Sequence, residues 1–146
     1  DGTVLELAHG LAAAVADAIE YAPGTTHVHT TAADAIADGK GVCQDHAHAL
    51  IAVAHVAGIP ARYVMGYLQT DGDGAPHEAS HAWAEAYVQG LGWVGFDPSH
   101  GISPDQCYVR VAVGLDDAGT APFSGSRSGA GDERLEVEIL VGAAQN

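Results

Sequence analysis

Residues 39–50 read GKGVCQDHAHAL and set Cys43 just behind a glycine-flanked lysine, at the head of an alanine-rich run. A thiol attacks a carbonyl well only as its thiolate, and the positive end of a helix dipole favours that anion. From Val42 onward Cys43, Ala47, Leu50, Ile51 and Ala54 recur on one helical face until Gly58 and Pro60 interrupt it. The spacing therefore predicts that Cys43 opens a helix on its buried side. Such a thiol still needs a base, and a group to orient that base, because a leaving amine must be given a proton.

His81 and Asp97 are the candidates, sixteen residues apart on the two arms of a hairpin read from SHAWAEAYV, QGLG and GWVGFDPS. Their separation is even, so a turn with an odd number of residues points both side chains to one face. A five-residue turn would set them directly opposite, and a three-residue turn would make them diagonal neighbours still within reach.

Other readings of these residues compete. A buried cysteine is most often inert packing, an isolated histidine is usually a surface or satisfied core residue, and Asp-Pro-Ser is a common turn. Nine histidines in 146 residues also raise metal binding, with Cys43, His46, His48, His77 and His81 as a possible cluster. No CxxC pair or HExxH helix is present, and on a helix Cys43 and His46 face one way while His48 points elsewhere. No metal or cofactor is expected.

The elements that must position these groups are helices first and strands afterwards. Val4, Leu7, Ala8, Leu11, Val15 and Ile19 follow helical spacing from a Thr3/Glu6 capping box, predicting a helix over about Thr3–Glu20. Pro23 and Gly24 break it, and Thr31 with Asp34 caps a short helix over AADAIA. ARYVMGYL, CYVRVAVG and RLEVEILVG read as further strands, DGDGAP as a loop, and the Gly/Ser/Asp-rich stretch 115–132 as a mobile or lid-like loop. This order predicts an α+β fold, helices packed on one side of a mostly antiparallel sheet.

The length fits one domain, 1–146, and 47% apolar against 16% charged residues is a globular composition. A formal charge of −14 argues against nucleic acid and anionic membranes as partners, and no apolar window is long enough for a membrane span. Two cysteines, Cys43 and Cys107, make no disulfide framework, so a cytoplasmic location is the expectation, although one bridge stays open. The start at Asp1 reads as a processed product or a piece of a longer chain.

GVCQDHAHALIAVAHVAGIPARYVMGYL, then HAWAEAYV and GWVGFDPSHG, resembles the core of the bacterial transglutaminase-like family, whose members are described as cysteine proteases. The resemblance runs from about Tyr21 to Leu115, with its blocks in the family's order and spacing. It implies a papain-like core with a Cys-His-Asp triad: Cys43 as nucleophile, His81 as general base and acid, and Asp97 as the residue orienting His81. It further implies a thioester acyl-enzyme, formed on a peptide bond or glutamine-type carboxamide of a peptide or protein. Water resolving it would make an amidase or peptidase, and a lysine amine a transglutaminase.

Departures from the pattern accompany the match. Full-length relatives carry a β-rich N-terminal region that has no counterpart here. The glutamine six residues before the papain-like cysteine is Ala37 here, and both tryptophans, Trp83 and Trp93, lie downstream of Cys43 instead of upstream. The oxyanion donors expected are the Cys43 N–H and, second, Gln44. Gln44, Asp45 and His48 match the family block and either shape the site, brace the helix or sit solvated in its first turn. Trp83 and Trp93 are expected in the core or cleft wall. A noncatalytic binding module on the same fold and a zinc hydrolase are the rivals from other classes.

Overall fold

The computed structural model describes residues 3–27, 29–69 and 80–122, with a few isolated positions beyond. The expected loop at 71–76, His77, and most of the strand expected at 134–142 lie outside the described residues. Helix α1, Val4–Ala18, starts at the expected capping box: Thr3 Oγ1 accepts from Glu6 N–H at 3.2 Å while the Glu6 carboxylate accepts from Thr3 N–H at 2.6 Å. It ends earlier than its periodicity predicts. Ile19 turns extended, and Glu20–Tyr21 forms a two-residue strand, β1, paired in parallel with β2, Lys40–Gly41. Glu20 N–H bonds to the Gly39 carbonyl and Ala22 N–H to the Gly41 carbonyl, which draws the chain out of the helix.

Between those short strands lies α2, Ala32–Asp38, capped by Thr31 and Asp34 as expected and ended by Gly39 in the left-handed region at φ 66°. Helix α3, Cys43–Val56, follows directly on β2. The main sheet comprises β3 (Ala61–Leu68), β4 (His81–Val88), β5 (Gly92–Phe96) and β6 (Tyr108–Gly114) in the order β5-β4-β3-β6, with every pairing antiparallel. This is the predicted α+β architecture.

Small residues set its geometry. Ala47, Ala54 and Leu50 of α3 join Ala82, Ala84 and Ala86 of β4 in one core with Tyr63, Met65 and Phe96, so the helix that begins at Cys43 lies close against the sheet. On the other face of β4, Gly66 of β3 leaves the space that Trp83 occupies. A Cβ on Gly66 would fall 2.1 Å from the Val109 carbonyl oxygen and 2.7 Å from Trp83 Cη2, at the point where the β3–β6 register shifts. The stretch 115–132, expected as a mobile or lid-like loop, begins instead with a short helix, α4, Asp117–Thr120. Asp116 caps it by accepting from Gly119 N–H at 2.8 Å, and buried Thr120 seats it against Gly114. No helix among the described residues is long and apolar enough to cross a membrane.

Two glycine substitutions separate space from flexibility. Gly66→Ala is expected to lose about 3 kcal/mol through overpacking. Gly10→Ala, inside α1 with nothing within 4 Å of the new methyl, should gain about 0.5–1 kcal/mol of helix propensity. Urea unfolding of both variants checks the pair, and equal effects would remove the steric account.

Candidate active site

Val42 precedes α3 in extended conformation and has no side-chain acceptor, so the cap comes from inside the helix. Asp45 Oδ2 accepts from Val42 N–H at 2.8 Å and from Thr26 Oγ1 at 2.7 Å. The approach requires Gly41, whose Cβ would lie 2.7 Å from Asp45 Cβ. His46 ties the same turn down a second time, with Nδ1 at 2.8 Å from the Val42 carbonyl and Nε2 at 2.9 Å from that of Ile19. Asp45 is buried, so the reading of it as a solvated first-turn residue does not hold, and its hydrogen bonds brace the helix; His46 beside it is buried as well. Cys43 is held as its first residue, with its Sγ donating to Gln44 Oε1 at 3.2 Å.

The candidate base, His81, comes from the hairpin. Val88 pairs with Gly92 and Ala84 with Phe96, which leaves a three-residue turn and puts Asp97 across from Trp83. His81 is then the diagonal neighbour of Asp97, and its Nε2 lies 2.6 Å from Asp97 Oδ2. With Nε2 engaged there, Nδ1 is the ring nitrogen left open, and Cys43 lies near enough to act on the proton affinity of His81.

Asp97 is only 1% exposed, and its carboxylate accepts from five donors. Oδ2 takes His81, His100 Nδ1 at 2.7 Å and the Tyr108 hydroxyl at 2.8 Å; Oδ1 takes the Ser99 N–H at 3.0 Å and its hydroxyl at 2.6 Å. Burial alone would raise the Asp97 pKa, but donors from His81, Ser99 and His100 outweigh it and hold the carboxyl well below the usual range. For His81 burial works downward, yet the hydrogen bonds to Asp97 and Cys43, reinforced by their charge, lift its pKa to about 9. Burial, then the Asp97 hydrogen bond, pushes the Tyr108 phenol far up, so it remains a donor.

Sequence reasoning gave no role to His100 or Tyr108. His100 stood in the DPSHG block, three residues after Asp97, and its position was the available signal; Tyr108 arrives from β6, two strands away from β4, and nothing local announces it. Trp83 is 2% exposed and lies behind His81, 6.1 Å from its ring and edge-on to Tyr108 at 5.3 Å. Trp93, expected in the core or cleft wall, instead lies on the sheet surface with the Arg62 guanidinium 4.2 Å above its ring.

The rival cluster of Cys43, His46, His48 and His81 does not converge among the described residues: His46 is held by two carbonyls and His48 turns toward Asp117. His81, Asp97 and His100 do bring their donor atoms within 4.8 Å of one another. At 2.6 and 2.7 Å, however, they are hydrogen-bonded to each other, closer than the separation of about 3.3 Å that two ligands keep on one tetrahedral zinc. No disulfide joins Cys43 to Cys107.

The family model of the transglutaminase-like superfamily matches residues 1–98. The chain belongs to this superfamily. A crystal structure of a Cytophaga hutchinsonii protein named a "putative cysteine protease" superposes with a TM-score of 0.69 at 34% identity, covering 81% of this chain and 39% of that one. An uncharacterized protein of Mycobacterium leprae is 39% identical over 127 residues, 84% of this chain and 45% of the relative. A protein-glutamine gamma-glutamyltransferase of Pseudomonas aeruginosa is 33% identical over 85 residues, 54% of this chain and 12% of the relative. This superfamily member thus spans less than half the length of the curated relatives it matches.

The raised His81 pKa has a stability consequence. A group bound more tightly to its proton when folded stabilises the fold fully below its unfolded value, here 6.5, and loses that contribution as pH rises through about 9. Urea unfolding should therefore show stability declining between those pH values, with a smaller slope in His81→Gln. Parallel slopes in the two proteins would contradict the assignment.

Proposed function

We propose that this chain is the core of a cysteine-dependent amidohydrolase or peptidase that works through a Cys43–His81–Asp97 triad. The observation that carries the reading is His81 bonded through Nε2 to a buried, five-fold hydrogen-bonded carboxylate while it contacts a thiol at a helix N-terminus. An imidazolium beside a thiol favours the thiolate, and the helix dipole adds to that.

In the proposed reaction the Cys43 thiolate attacks an amide carbonyl and forms a tetrahedral oxyanion. The Cys43 backbone N–H, in the first turn where helical N–H groups have no carbonyl four residues back, is one donor to it. Gln44 is the second: its side-chain amide already lies at the thiol, and turning it over presents N–H where the oxygen now sits. His81 gives its proton to the departing amine, the C–N bond breaks, and a thioester remains on Cys43. His81, now neutral, removes a proton from water as water attacks the thioester, which releases the acid and restores the thiolate–imidazolium pair. Asp97 keeps the ring oriented and its cation stable throughout.

A second reading has a specific support. The Pseudomonas aeruginosa relative is named a protein-glutamine gamma-glutamyltransferase, and a lysine amine in place of water would convert the same thioester into a cross-link. Peptide or protein carboxamides are the proposed substrates in both readings. A noncatalytic module would have no need for a base aligned between a buried carboxylate and the thiol.

Iodoacetamide reactivity, in a Cys107→Ser background, tests the triad. Cys43 is expected to alkylate rapidly well below pH 8 and His81→Ala to suppress that reaction. On a hydrolysed amide, His81→Ala should lower kcat/KM by about 100-fold or more. Slow alkylation with an ordinary thiol profile in both proteins would sink the proposal. Product that forms only when an amine is supplied would select the transferase reading.

A further inference from the structure

Asp97 Oδ2 holds a second imidazole besides that of His81. His100 Nδ1 donates to it at 2.7 Å, and the two rings lie with their centres 4.8 Å apart. They differ in access to solvent: the His81 side chain is 10% exposed and that of His100 48%. With Ser99 and Tyr108 half-buried, His100 is the outermost group of the Asp97 cluster. A neutral imidazole that donates through Nδ1 keeps its Nε2 as an unprotonated acceptor. The Nε2 of His100 has no hydrogen-bond partner among the described residues, whereas that of His81 is committed to Asp97. One buried carboxylate thus orients two imidazoles, and the proposed triad uses only the inner one.

Resolution of a thioester by an amine releases one proton more than His81 can hold. After acylation His81 is neutral, its proton having left with the departing amine, and it accepts one proton. Water gives up one as it attacks, so His81 suffices for hydrolysis. A lysine-type amine arrives as an ammonium and gives up two, the first before its nitrogen has a lone pair and the second as the new C–N bond forms. We propose that His100 is a further catalytic residue, the base that takes the first of these protons from the incoming alkylammonium. Its Nε2 accepts that proton and passes it to solvent, which the half-exposed ring reaches directly. The freed amine then attacks the thioester carbonyl, the C–S bond breaks, and His81 takes the second proton as the amide forms and the Cys43 thiolate is restored. An imidazole exchanges protons near neutral pH, and the Asp97 carboxylate behind the ring favours the transient cation. The assignment rests on the triad reading in its amine-resolved form.

The test loads Cys43 with an acetyl group from p-nitrophenyl acetate, in the Cys107→Ser background, and follows loss of that group at neutral pH in water, with ethylamine and with trifluoroethylamine. Ethylamine is an ammonium ion at that pH, whereas trifluoroethylamine, of similar size, already has its lone pair free. His100→Asn keeps an N–H for Asp97 but carries no base. It should slow deacylation by ethylamine about 100-fold, the low end for a positioned base, and leave the reactions with trifluoroethylamine and water within about twofold. Tyr108→Phe, which removes another donor from the same oxygen but no base, should change the two amines alike. Equal slowing of both amines by His100→Asn would mean that His100 acts only through Asp97, and would overturn the proposal. So would a deacylation rate that neither amine raises above that of water, an outcome that removes the transferase reading while rapid acetylation keeps the activated Cys43. Failure of the unaltered triad to form acetyl-Cys43 at all, read by mass spectrometry, would instead sink the triad reading and this assignment with it.

Discussion

A carboxylate cannot be withdrawn from water unless enough donors replace its hydration, and Asp97 is the place where this protein meets that requirement. Its five hydrogen bonds come from β4, from the turn after β5 and from β6. Each donor is in reach only if its part of the fold is formed: the three-residue hairpin turn for His81, the tight return of the chain at Ser99 and His100, and the β5-β4-β3-β6 order for Tyr108. Gly66, by leaving room for Trp83 and the passing carbonyl of Val109, keeps β6 close enough for the last of these. The hydrogen bond to the carboxylate so fixed, reinforced by its charge, is what chiefly raises the proton affinity of His81.

A second buried acid does the corresponding work on the Cys43 side. Asp45 fixes the first turn of α3 from within and binds the 22–31 segment to it through Thr26, while His46 links that turn to the end of α1. Cys43 and His81 are thus each anchored to separate framework, helix and sheet, and the close alanine packing of α3 on β4 sets the distance between them. The proposed proton transfer would demand such rigid support on both sides.

Much of this was legible in the residues because it depends on local periodicity. The Cys43, Ala47, Leu50, Ile51, Ala54 stripe located the helix and its start, both capping boxes stood in plain view, and the even spacing of His81 and Asp97 put them on one face for any turn with an odd number of residues. The turn length itself was not legible, since glycines at 90 and 92 permit several hairpins, and it decided the diagonal geometry. His100 and Tyr108 escaped for a related reason: their role depends on a chain reversal and on sheet order. Two-residue strands such as β1 and β2 carry too few residues to show a period, and the glycine- and serine-rich composition after Leu115 concealed the Asp116 cap of α4. Trp93 followed the general rule for aromatics poorly because Arg62, paired with Glu85, covers it on the open face of the sheet.

The central claim is the protonation state of one imidazole, and nitrogen NMR of His81 reads it directly. In ¹⁵N-histidine-labelled protein, both ring nitrogens of His81 should carry protons through neutral pH and lose one only near 9, with Nε2 retaining the proton shared with Asp97. In Asp97→Asn the transition should move down toward the ordinary histidine range. A His81 that titrates near 6.5 in the unaltered protein, or whose titration is indifferent to Asp97, would contradict the account at its base.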